Sequence, residues 1–359
     1  MINTRGLCKN QYSPENPSDA NAVVPKRVSS YVSITDYTPV QKLIKRTNPY
    51  FLQTILKQFV NFACFISNIF YMQLQEIPRV KTISREDFVS RYVKPQKPVV
   101  IEELTRDWGA YDKWHLDYIN RIAGDRMVPL YDDRPVTHED GFNEPHARMR
   151  MHDYIRLLES EPTNYRIFLY NLMKEVPSLQ EDFQWPDIGL RLVKQLPMLF
   201  FGGENSKVFM HFDIDYSNIL HFHFHGRKQC VILPPDQTKY MYKIPHALIS
   251  REDIDFDHPD YEKWPALKKA RGYIANLEHG QMLYMPEGYW HYMKYVTPGF
   301  SMSLRSFPRN PANLVKAAYN VLIMRHYDNF MRKRKGQAWI DYKNEQAVVR
   351  THRELGMEI

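Results

Sequence analysis

The sequence specifies a mainly β domain with helical flanks, and three observations carry that reading. Short apolar runs crowd the stretch from Leu196 to Phe307, Gly and Pro pairs separate them, and 24 Tyr and 19 Phe enrich the chain in strand-favouring aromatics. A chain of 359 residues has room for one large barrel or sandwich plus helices. Apolar residues at 43% and charged residues at 25% are ordinary globular values, which exclude wholesale disorder and an integral membrane protein. The three cysteines, Cys8, Cys64 and Cys230, match neither a disulfide framework nor a cysteine-based zinc site, so a reducing, cytoplasmic location is expected. A net charge of +7 permits contact with nucleic acid or acidic protein, although much of such a surplus is ordinarily solvated surface.

Taken in order, residues 1–71 read as a poorly ordered leader, with Pro14, Pro17, Pro25 and Pro39 scattered through polar sequence. Its end, from Phe51 to Met72, is apolar but broken by Lys57, Gln58, Asn61 and Asn68, which favours a docked helix over a membrane span. The abrupt change of composition there also makes Met72 a candidate native start. Residues 72–310 form the expected catalytic domain. Ser84 is placed to cap a short helix, Lys97–Glu102 reads as a strand, Met151–Ser160 as a helix and Tyr165–Tyr170 as a strand. The dense β region follows, with Met198–Phe201, Cys230–Leu233, Gln281–Met285 and Phe300–Leu304 separated by Gly202-Gly203, Pro234-Pro235, Pro286-Glu-Gly288 and Pro298-Gly299. Residues 311–359 are expected to be helical, in two stretches split by the basic cluster Arg332–Lys335, and either to pack on the barrel or to form a homodimer interface.

One constellation points to chemistry. In His211-Phe-Asp213 the imidazole and carboxylate are two residues apart, and on an extended strand or its bulged end such side chains share a face. A third donor from a distant strand completes the two-histidine, one-carboxylate set that holds non-heme Fe(II) with positions left open. His291, just beyond the turn in Leu283–His291, is the candidate. Zinc could bind the same donors. Lys228, on a neighbouring strand, supplies a flexible ammonium suited to a carboxylate.

These blocks, Met210–Asp213, Gly226–Asp236 and Gly280–His291, resemble the JmjC and cupin-like hydroxylase family, the group that includes the HIF asparaginyl hydroxylase. The resemblance runs from about Ile77 to Phe307. It implies a double-stranded β-helix of jelly-roll type, with Fe(II) held by His211, Asp213 and His291 and 2-oxoglutarate as cosubstrate anchored by Lys228. Ser303 lies on the strand that would line the site. Two departures stand out: Val208 occupies the place where relatives often carry a cosubstrate-binding Thr, and Phe168 the place of a Tyr. Tyr170, two residues on and expected on the same face, becomes the substitute anchor.

His221-Phe-His-Phe-His225 puts three imidazoles on one strand face; lining a cavity or carrying hydrogen bonds is the expectation, ahead of a separate metal site. His246, His258 and His279 read as surface or loop residues. The resemblance implies hydroxylation of a protein side chain as the leading activity, with tRNA as another substrate class and a non-oxygenase cupin as the rival.

Overall fold

A computed structural model describes residues 71–134, 137 and 144–358. The expectations for the leader and for the apolar segment from Phe51 lie outside the described residues, apart from Tyr71 and Met72. All described residues belong to one unit, residues 62–359.

Two sheets face each other. The first has five strands in the order β1 (Gln73–Glu76), β11 (Arg271–Leu277), β10 (Lys228–Leu233), β13 (Trp290–Tyr295) and β8 (Lys207–His211). The second has seven: β2 (Arg79–Val80), β3 (Val99–Ile101), β12 (Met282–Met285), β9 (Asn218–His225), β14 (Gly299–Ser306), β7 (Met198–Gly202) and β6 (Arg166–Tyr170). A small hairpin, β4 (Met127–Leu130) with β5 (Ala147–Arg150), stands apart. Antiparallel strands that exchange partners between two facing sheets are the jelly-roll arrangement expected of this pattern. Ser84 caps the short helix Arg85–Phe88 by accepting from the Asp87 amide at 3.1 Å, and the helix Met151–Ser160 forms as the sequence suggested.

Strand alternation sorts the apolar residues into three layers. Phe222, Phe224, Phe300, Met302, Leu199 and Phe201 cover the outer face of the larger sheet and pack on Trp108, Trp114, Leu116 and Ile119. Met210, Phe212, Val231, Trp290 and Tyr292 cover the outer face of the smaller sheet and meet Trp264, Leu267 and, at the edge, Val348 and Leu355 of the last helix. Between the sheets lie Val100, Ile219, Cys230, Ile232, Leu283 and Met293, with Val208 packed against them. The inner layer is the thinnest of the three, and polar side chains occupy the rest of that space.

The C-terminal segment is helical, as expected, but has three pieces: Pro311–Tyr319, Arg325–Lys335 after a π-helical turn, and Gln337–Leu355. The basic cluster forms the last turn of the middle helix, where cations complement the exposed carbonyls. Leu314, Val315, Leu322, Ile323 and Phe330 remain exposed. Among the described residues no helix is long and apolar enough to cross a membrane.

Candidate metal and cosubstrate site

β8 and β13 lie antiparallel with His211 directly opposite His291. Their rings stand 4.0 Å apart between centroids, and ligand atoms of His211, Asp213 and His291 all fall within 4.8 Å of one another. The turn chemistry brings this about. Asp213 begins a tight turn closed by the Tyr216 amide, and the turn before β13 places Gly288 at φ +67° against the Tyr216 ring. A Cβ at Gly288 would stand 2.5 Å from that ring, so the two turns can abut only with glycine there.

Hydrogen bonds orient both imidazoles. Nδ1 of His211 is 2.8 Å from the Phe209 carbonyl and Nδ1 of His291 is 3.1 Å from the Tyr289 carbonyl. A carbonyl only accepts, so each Nδ1 carries the proton and each Nε2 keeps a free lone pair. Burial, with His291 alongside, pushes His211 down to about 3, which keeps the ring neutral. For Asp213, burial acts to raise the carboxyl, but Arg305, His291 and His211 outweigh it and hold the group below its ordinary range. Arg305 is itself fixed by Asp215 at 3.2 Å. Two neutral imidazoles with free lone pairs and one ionised carboxylate suit a borderline divalent cation such as Fe(II), and would accept Zn(II) as well.

Deeper in the barrel, Lys228 is buried, with 2% of its surface exposed. Among the described residues its ammonium contacts no carboxylate: Nζ lies 3.1 Å from His221 Nε2, 3.3 Å from Ser301 Oγ and 4.2 Å from the centre of the Tyr295 ring. Because an ammonium can only donate, His221 Nε2 accepts; Nδ1 then carries the proton and donates to Ser303 Oγ at 2.8 Å. His223 and Ser301 repeat the pairing at 2.8 Å. Both imidazoles are thus bonded to serines of the neighbouring strand; His221 also holds the Lys228 ammonium, whereas His223 Nε2 meets no partner. His225 instead stacks on Phe300. Burial pushes Lys228 down to about 8. A buried cation with neutral partners is poised to receive an anion.

Ser303 therefore touches His221 and reaches Lys228 only through it. Tyr170 stands elsewhere: β6 and β7 lose register between Ile167 and Tyr170, and the Tyr170 side chain packs against the outer cluster, away from Lys228. The expectation that it shares the face of Phe168 fails because that shift breaks the two-residue alternation. His279 lies in an exposed turn, as expected, where Nδ1 donates to the Phe224 carbonyl at 2.6 Å.

Sequence reasoning missed Arg305, Tyr295 and Glu287. Buried Glu287 accepts from Asn218 (3.2 Å), the Arg309 amide (2.6 Å) and Asn313 (3.0 Å), tying the turn before His291 to the start of the C-terminal helix. Only its place in Pro-Glu-Gly, beside a predicted turn, hinted at a role.

Comparison with known proteins agrees with this geometry. The model of the cupin-like domain family matches residues 85–333, more than two thirds of the chain. Lysine-specific demethylase 8 of Xenopus tropicalis is 26% identical over 234 residues, covering 63% of this chain and 52% of that protein. Lysine-specific demethylase JMJ30 of Arabidopsis thaliana is 28% identical, covering 62% of this chain and 52% of that protein. Human tRNA wybutosine-synthesizing protein 5 is 24% identical, covering 60% and 72%. The chain spans about half the length of the demethylases it matches. JmjC proteins are Fe(II)- and 2-oxoglutarate-dependent oxygenases, and the jelly roll, the family match and the clustered donors agree: this chain belongs to the JmjC-like, cupin-like domain family.

Proposed function

We propose that this protein is an Fe(II)- and 2-oxoglutarate-dependent hydroxylase acting on a protein side chain. One observation carries the reading: His211 and Asp213 from one strand end and His291 from a distant strand present metal-ligand atoms within 4.8 Å of one another, in a barrel that also buries a lysine bonded only to neutral groups among the described residues. Bound Fe(II) with 2-oxoglutarate supplies oxidative C–H chemistry, with succinate and CO₂ as the cosubstrate's products. The protein's share is positional. His211, Asp213 and His291 hold the ion with both imidazoles preset by backbone carbonyls, Lys228 pairs with the far carboxylate, and the apolar inner layer around Met293 and Ile232 limits water. His221 and Ser303 keep the ammonium aimed.

The protein side chain as substrate rests on the demethylase-named relatives; the wybutosine-named relative, together with the +7 charge, keeps tRNA as the other class. Residues 311–359 are read as a surface for a second copy of the chain because Leu314, Val315, Leu322 and Ile323 are exposed there. A purely monomeric species by light scattering at micromolar concentration overturns that point.

Succinate release tests the main reading. Release that needs both Fe(II) and 2-oxoglutarate and is lost in His211→Ala supports the oxygenase. Silence from iron-loaded wild type favours the non-oxygenase cupin. A search of cellular protein and tRNA for gains of one oxygen that vanish in Asp213→Ala then separates the substrate classes.

A further inference from the structure

The barrel holds a second buried cation that the metal and Lys228 groups do not use. Arg166 opens β6, pairs with Gly202 and is only 5% exposed, yet Nε and Nη1 of its guanidinium have no hydrogen-bond partner. Its neighbour Ile167 belongs to the outer cluster, so alternation turns Arg166 to the inner wall. There the guanidinium lies 5.8 Å from the Phe168 ring and 6.0 Å from the Phe209 ring, contacts that give Nε and Nη1 no acceptor. Among the described residues, the acids whose charge acts on Arg166 are engaged elsewhere: Asp133 accepts from Asn164 and Asp132 pairs with His146 at 2.6 Å. Tyr154 donates its hydroxyl to the Tyr165 carbonyl and Tyr295 donates to the Phe200 carbonyl, and neither oxygen accepts from Nε or Nη1 of Arg166.

An arginine is rarely buried without an acid, because removing the charge from water is costly unless its donors are satisfied. Two further facts place it in the candidate site. The Phe209 ring that its guanidinium approaches belongs to the residue whose carbonyl holds His211 Nδ1, and Gly202, the residue it pairs with, lies against the Tyr295 ring that carries the Lys228 ammonium. Val208, packed against the inner layer, offers no polar group to a ligand there. The planar fork of a guanidinium matches a carboxylate with two parallel hydrogen bonds.

We propose that Arg166 is a second carboxylate anchor of the barrel, receiving an acidic group of a ligand bound beside the His211, Asp213 and His291 cluster. The assignment of that ligand as 2-oxoglutarate or as the hydroxylation substrate rests on the oxygenase reading above. The anchor itself does not.

Glutarate is the probe for the anchor, since it is a dicarboxylate with no keto group and needs no metal. Calorimetric titration of the metal-free full-length protein is expected to show glutarate binding that weakens tenfold or more in Arg166→Gln and partly recovers in Arg166→Lys. Wild type without glutarate affinity, or Arg166→Gln with unchanged affinity, overturns the anchor. Arg166→Met is the control for folding: a melting temperature equal to or above wild type is expected once an unpaired buried charge is gone, whereas a large fall makes Arg166 a structural residue and overturns the proposal. The Mn(II)-loaded protein then separates the two sources. If Arg166→Gln also weakens 2-oxoglutarate tenfold but leaves 2-oxobutanoate, which lacks the far carboxylate, unchanged, the cosubstrate supplies the group. If 2-oxoglutarate is unaffected while the glutarate effect persists, an acidic group of the substrate does. Wild type that takes up glutarate but no 2-oxoglutarate with Mn(II) sinks the oxygenase reading and leaves the anchor standing.

Discussion

The two faces of β9 are equally dry and do opposite work. Its outer face carries Leu220, Phe222 and Phe224 into a cluster with Trp108 and Trp114, where Trp108 lies 5.0 Å from Phe222 and Trp114 lies 4.7 Å from Phe224 between centroids. Its inner face carries His221 and His223, each bonded to a serine of β14, with the Lys228 ammonium on His221. Apolar burial on the first face stabilises the fold; polar burial on the second costs stability that its hydrogen bonds offset only in part, since His223 Nε2 meets no partner. Burial alone therefore says little about function. The informative quantity is whether a buried side chain has a partner of matching chemistry.

This contrast breaks if inner and outer substitutions behave alike. His211→Ala removes a metal ligand from the inner space, and iron-dependent succinate release is expected to fall below detection while the melting temperature of the metal-free protein changes little. An equal loss of stability would show His211 to be a packing residue. Phe222→Ala, on the outer face, is expected to cost about 3–5 kcal/mol in chemical denaturation, the usual range for emptying a buried aromatic position. Activity per folded molecule should persist in that variant. Lys228→Met sharpens the comparison, because it exchanges a buried ammonium without an acid for an apolar chain of similar length. Denaturation midpoints should hold or rise, while 2-oxoglutarate affinity falls by roughly 10–100-fold, the worth of a charge-assisted hydrogen bond of about 1.5–3 kcal/mol. Unaltered affinity would remove Lys228 from the cosubstrate site.

A pH series isolates the same charge. With the ligand-free ammonium lowered to about 8, 2-oxoglutarate affinity should be level below pH 8 and then drop about tenfold per unit above it, as binding must take up a proton. Stability of the ligand-free protein moves the other way. The folded lysine releases its proton below the unfolded value of 10.5, so between about 8 and 10.5 the unfolded chain holds more protons and this group's contribution grows with pH. Both trends should be absent in Lys228→Met; their persistence there would assign them to another group.

Much of this was legible in the sequence, for reasons that are local. The strand runs were separated by Gly and Pro, so β7, β10, β12 and β14 lie where the apolar runs and turn residues put them. His211 and Asp213 were visible as a pair, and His291 as the residue beyond a turn. Alternation in His221–His225 announced one polar and one apolar face. What stayed hidden depended on closure of the barrel. Arg166 looks in sequence like any charged strand residue, and only the approach of β6 to Gly202 and Phe209 buries it. Arg305 gains meaning only beside Asp213 and Asp215, some ninety residues earlier. Tyr170 went astray because a register shift in β6 cannot be read from its own residues.

Ser303 offers the smallest effect and the finest distinction, between touching the ligand and holding what touches it. Its hydroxyl oxygen accepts from His221 Nδ1, so the serine fixes the tautomer that lets Nε2 accept from Lys228. Removing one buried hydrogen bond costs about 1 kcal/mol. Ser303→Ala should therefore lower the melting temperature by a few degrees and weaken 2-oxoglutarate about three- to tenfold, because the freed imidazole no longer holds the ammonium in one place. Ser303→Thr, which keeps the hydroxyl, should restore affinity. The two roles part in the double variant with Lys228→Met. A positioning serine adds no further loss once the lysine is gone, whereas a serine that binds cosubstrate directly adds its full effect. Additive losses in that double variant would move Ser303 from the wall of the site into contact with the ligand.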